Sequence, residues 1–170
     1  MPRLKIGADF MKALLLLTTL LLLPACSGES AASFTDAGSA MDMAEQALAS
    51  KDYATAIAGF EFAAADGALA ADALLGLFIA QLGSAEADAA QRALDSLKTH
   101  HTSALSTDAL IDLANACINS GDLPLAERLV SLNQELHPNQ MEAMRTVMAG
   151  IEAKRSGNME ALAELGYVGD

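Results

Sequence analysis

The chain has 170 residues, room for one domain, and 52% of them are apolar while only 4% are aromatic and none is tryptophan. A formal charge of −12, with no basic cluster beyond the N-terminus, excludes a nucleic-acid backbone as partner and offers nothing to anionic lipid headgroups. Abundant alanine, the best helix former, with few β-branched or aromatic residues, predicts an all-α protein of closely packed helices.

In chain order, Arg3, Lys5 and Lys12 come first, followed by the uncharged run "ALLLLTTLLLLPA" from Ala13 to Ala25. The run is shorter than the ~20 residues that span a bilayer. A basic segment before a short apolar one is the layout of a secretory signal, with an uncleaved membrane anchor as the rival reading. The run ends in Leu23-Pro24-Ala25-Cys26, which resembles the lipobox of bacterial lipoproteins, Pro24 departing from the usual residue at its place. That resemblance implies cleavage before Cys26, a diacylglycerol on its sulfur and an acylated new N-terminus. Two or more acyl chains anchor stably, at about 0.8 kcal/mol per buried CH₂. Ser27 resembles the pattern of lipoproteins sent to the outer membrane, which implies a lipid-anchored protein facing the periplasm. The expected organisation is a signal peptide over 1–25, a flexible tether over 26–36 and a helical repeat domain over 37–170. About ten tether residues reach roughly 17–19 Å. Cys117 is the one other cysteine, so no internal disulfide staples the exported chain.

From Ala37 onward the chain repeats. Ala56 with Phe60, Ala90 with Leu94 and Ala126 with Val130 recur at intervals of 34 and 36 residues. Upstream of each pair, Ala40, Met43, Ala44 and Ala47 align with Leu74, Leu77, Phe78 and Gln81, and these with Leu110, Leu113, Ala114 and Cys117. Steps of three and four put each set on one helical face. Two such helices make a hairpin that cannot bury its apolar face alone, so neighbours stack. Gly121 suits a helix C-terminus and Asp122 an N-cap, and Lys51-Asp52-Tyr53 stands at the same place in the first repeat as Gly121-Asp122-Leu123 in the third. Repeat two has no glycine between its helices, only "GSAEA".

This pattern resembles the tetratricopeptide (TPR) repeat, in frames 37–70, 71–104 and 107–140, with a partial fourth from Met141 and with Pro138 where the family has its closing proline. "AAADGALAADALLGL" also resembles the Sel1-like variant. The resemblance implies an α-α solenoid of about three helical hairpins plus C-terminal capping helices. In the last segment, one helix from Met141 to about Arg155, a break at Ser156-Gly157-Asn158 and a short helix stopped by Gly166 are expected.

No phosphate loop, nucleophile elbow or metal-ligand cluster stands in the sequence, so neither an enzyme nor a cofactor is expected. His100 and His101 point about 100° apart on a helix and suit its solvated C-terminal end. His137, before Pro138, takes the same solvated reading. Cys117 faces inward with nothing nearby to depress its pKa.

By resemblance to TPR proteins, the concave face is lined by first-helix residues that turn away from the core. These are Met41, Asp42, Glu45 and Leu48, then Leu75, Ile79 and Leu82. They continue with Ile111, Asp112, Asn115 and Ile118, and end with Arg145, Ala149 and Glu152. An apolar floor with acidic flecks suits a helix or extended segment carrying apolar anchors and basic residues, unless the chain's own tether or C-terminal helix fills it. Only Asn115 matches the carboxylate-clamp set of that family.

The expected role is a membrane-tethered adaptor that holds a protein or peptide partner in the cell envelope. Resembling proteins serve outer-membrane protein assembly, secretin or pilus biogenesis, or cell-wall enzyme regulation. The alternatives are an accessory subunit acting through its convex face or by self-association, and a small-ligand or glycan binder, which the lack of tryptophan disfavours. Cys26→Ser should abolish lipid labelling and release the protein from membranes. Tight retention of that variant would mean an uncleaved anchor instead.

Overall fold

A computed structural model describes residues 34–167. The signal segment, Cys26 and residues 26–33 of the expected tether lie outside the described residues. Those described are all helical, with eight α-helices and two short 3-10 turns. None of these helices is long and apolar enough to cross a membrane.

The helices come in pairs. α1 (Ala37–Ala49) packs on α2 (Tyr53–Ala63), α3 (Ala70–Gly83) on α4 (Ala87–His100), α5 (Thr107–Ser120) on α6 (Leu123–Leu136), and α7 (Arg145–Ser156) on α8 (Met159–Glu164). The first helix of each pair also touches the first helix of the next, α1 on α3, α3 on α5 and α5 on α7.

One turn closes every pair. One or two residues after the first helix the backbone turns left-handed: Lys51 (φ 62°), Ala85 (φ 64°), Gly121 (φ 87°) and Gly157 (φ 70°). The next residue sends its N–H back to the last turn, as Asp52 to Ala47 (2.8 Å), Glu86 to Gln81 (2.7 Å), Asp122 to Cys117 (2.9 Å) and Asn158 to Ala153 (2.9 Å). This is the Schellman closure, which satisfies otherwise orphaned helix carbonyls. At three of the four turns the same residue then caps the second helix: Asp52 accepts from Thr55 N–H (3.3 Å), Asp122 from Leu125 (3.1 Å) and Asn158 from Ala161 (3.1 Å). The fourth turn, 36 residues after the third, makes α7–α8 a shortened copy of the preceding pairs.

The core follows the expected frame, except that Leu74 and Val130 are only half-buried. Ala56, Ala90 and Ala126 are each 0% exposed, and Phe60, Phe78, Leu97, Leu110, Leu113 and Leu129 are buried around them. Small residues bring the helices close. A methyl on Gly59 would stand 2.8 Å from Ala44 Cβ, and one on Gly76 would enter the ring of buried Phe60.

Four local expectations differ from what is found. Met43 is 43% exposed, and the buried residues of α1 are its three alanines Ala40, Ala44 and Ala47. α7 begins at Arg145, not Met141, since successive i→i+3 bonds from Gln140 to Arg145 wind this stretch more tightly and bury Met144. His137 is not merely solvated: its Nε2 lies 2.7 Å from the Leu105 carbonyl, tying the end of α6 to the α4–α5 connection. Phe34 and Asp36, placed in the tether, belong to the folded body. Phe34 packs on Phe62 with ring centroids 5.4 Å apart, and Asp36 caps α1 by accepting from Ser39 N–H (2.8 Å).

A left-handed backbone costs a non-glycine residue about 1–2 kcal/mol, part of which glycine returns as unfolded-state entropy. Ala85→Gly should therefore stabilise the fold by about 0.5–1 kcal/mol. Gly76→Ala should destabilise it by about 1–3 kcal/mol, because the Phe60 ring has no free space to yield. Chemical denaturation of both variants checks the pair.

Candidate functional site

The largest opening is a cleft of about 820 Å³ where the C-terminal ends of α1, α3 and α5 come together. Its floor is Leu48, Ile79, Leu82 and Ala116, and its polar edge is Lys51, Asn119 and Ser120. The chain's two tyrosines, Tyr53 and Tyr167, stand beside it. Each ring lies where a glycine leaves room, Tyr53 against Gly83 and Tyr167 against Gly150.

Tyr167 is brought there by the end of α8. Gly166 is left-handed (φ 81°), its N–H bonds to Ala163 (3.1 Å) and the Tyr167 N–H bonds to Leu162 (2.8 Å). This is the Schellman closure again. It turns Tyr167 back across α7, and the Tyr167 hydroxyl donates to Asn115 Oδ1 at 2.6 Å. Burial pushes the Tyr167 phenol above its ordinary pKa.

The residues expected on the concave face are partly assembled here. Ile79 lines the cleft with Leu48 and Leu82, while Asn115 borders it through Tyr167. Met41, Leu75 and Ile111 are half-buried against the core, and Glu45 and Asp112 are exposed. Arg145 does not line the cleft; it is exposed and paired with Glu142 (2.8 Å). Glu152 lines a different depression, of about 300 Å³, with Val130 of α6 and Met148 of α7. Leu82 and Ile118 are buried; Leu82 forms part of the floor, and Ile118 does not line the cleft. Tyr53, Ala116 and Tyr167 were not among the expected lining residues. The pairing of Tyr167 with Asn115 spans 52 positions and has no local signature.

Neither a carboxylate nor a histidine lines the cleft. Among the described residues no three His, Cys, Asp or Glu side chains cluster as metal ligands. Cys117 is 0% exposed and burial drives its thiol far above the ordinary range, so it is held protonated and inert. Three buried oxygens lack a partner, on Gln81, Thr107 and Asn133, but they sit on three different helices and none borders the cleft. The arrangement is one that receives an apolar group and offers hydrogen bonds at its rim.

The raised pKa of Tyr167 fixes a pH dependence. Its neutral phenol favours the folded state fully below the ordinary tyrosine range, and that contribution is lost as pH rises through the raised value. A spectrophotometric titration should show a tyrosine ionising above the ordinary range, and Tyr167→Phe should remove that component. Comparison with family models, with curated proteins and with solved structures yields no match for this chain.

Proposed function

We propose that the protein is a non-catalytic adaptor of the bacterial cell envelope, tethered through lipid on Cys26 and built as a short TPR-like solenoid. Its first helices line up to hold an apolar segment of a partner protein, one that also carries basic residues. The observation that carries this reading is the cleft itself, whose floor of Leu48, Ile79 and Leu82 is apolar while exposed Asp42, Glu45 and Asp112 stand on the same set of helices.

Charge supports the partner's chemistry. On the even helices, exposed Lys98 pairs with Glu135 (3.1 Å), and Arg128 lies 3.7 Å from Asp95. Two cations of the even helices are thus engaged, while exposed Asp42, Glu45 and Asp112 give the first helices an acidic character that attracts a cationic segment, with Lys51 the cation at the cleft's rim. The lipid anchor and the envelope location rest on the resemblance of Leu23-Pro24-Ala25-Cys26 to a lipobox.

The test is an in-cell crosslink and pull-down of the full-length protein beside Ile79→Glu, with Arg92→Glu on α4 as control. A partner held by the parent chain and by Arg92→Glu, but lost by Ile79→Glu, is the expected result. A partner that survives Ile79→Glu moves the interface away from the cleft. Recovery of none with any form overturns the adaptor reading.

A further inference from the structure

We propose that Tyr167 is an autoinhibitory latch: its ring covers one side of the cleft, and the full docking face opens only when Tyr167 leaves. The regulatory meaning rests on the adaptor reading above; the latch itself rests on geometry.

Three features make Tyr167 a removable cover rather than part of the core. First, its anchorage is small. One hydroxyl bond to Asn115, one backbone bond to Leu162 and one ring face against Gly150 hold it, and the ring is only partly buried. Second, it is carried by α8, a six-residue helix whose one buried side chain is Leu162 and whose Met159 is 61% exposed. A helix this short has little stability of its own, so it belongs to the part of the fold that opens most easily. Third, it lies against the residues that would receive a partner. Tyr167 shares the cleft with Leu48, Ile79 and Ala116, and its bond uses the side chain of Asn115 on the same face.

Gly150 makes the device specific. It is buried in α7, and a methyl placed there would enter the Tyr167 ring. The ring can seat only because this position has no side chain. Displacement of Tyr167 frees the Asn115 amide, so a partner with a hydrogen-bond donor beside its apolar anchor replaces the lost bond.

The test reads access to the cleft directly. Ala116→Cys is introduced in a full-length Cys26→Ser chain, and its modification by N-ethylmaleimide is timed; Cys117, buried and protonated, stays silent while the fold is intact. Tyr167→Phe keeps the ring and removes the bond to Asn115. Gly150→Ala pushes the ring away without altering it. Each should raise the modification rate about three- to tenfold, the range expected from one neutral hydrogen bond, with helical content unchanged. Tyr167→Ala combined with Gly150→Ala should add nothing to Tyr167→Ala alone, since both act through the same contact. Unchanged rates in Tyr167→Phe and Gly150→Ala would overturn the latch, as would faster modification that comes with loss of helical content. Should Ala116→Cys itself lower the melting temperature, amide exchange of α8 in the otherwise unaltered chain gives the same comparison. Partner capture is a separate measurement. The latch predicts higher yield with Tyr167→Phe than with the parent chain, whereas no capture with any form counts against the adaptor reading and leaves the modification rates to judge the latch.

Discussion

The structure depends on how closely its helix backbones approach. With aromatic residues at 4% and no tryptophan, the chain has few bulky side chains with which to fill space between distant helices. It brings the helices together over alanine and glycine instead. Ala40 and Ala44 of α1 meet Gly59 of α2, and a single methyl at Gly59 would collide with that surface. Dispersion between atoms is weak pair by pair and large only when many pairs are in contact, so this close approach replaces what larger side chains would supply. The cost is intolerance. A core built from the smallest side chains has little slack to absorb an added carbon.

Close approach also dictates the turns. Helices that pack backbone to backbone leave short connections, and the same left-handed closure recurs four times with two different solutions. Gly121 and Gly157 adopt it freely, whereas Lys51 and Ala85 adopt it under strain. Repeat two has Ala85 at the turn position where repeat three has Gly121. The fold imposes the turn there all the same, because packing of α3 on α4 outweighs about 1–2 kcal/mol of backbone strain.

What could be read from the sequence was what depends on local spacing. The inward alanines at 56, 90 and 126 follow from a helical period and a repeat length, and all three are fully buried. The cap residues Asp52, Asp122 and Asn158 act within three positions of themselves, so their roles are visible in any window that contains them. The cleft was only half legible. Ile79 follows from the helical face it occupies, but Tyr167 reaches Asn115 across 52 positions and His137 reaches the Leu105 carbonyl across 32. Contacts of that kind are set by how the pairs stack, which no periodicity encodes. Arg145 failed as a lining residue for the same reason: its helix starts four residues later than its apolar pattern suggested, and the side chain meets Glu142 instead.

The rings seated on glycines have a consequence for how this sequence can change. Phe60 with Gly76, Tyr53 with Gly83 and Tyr167 with Gly150 each join a large side chain to a missing one. Shrinking the ring alone leaves a void, and enlarging the glycine alone leaves a clash. A path through sequence space that keeps the total volume must alter both partners, in either order, through an intermediate that is less stable than its ancestor. These three pairs should drift as couples, each member silent about its own importance until the other is known.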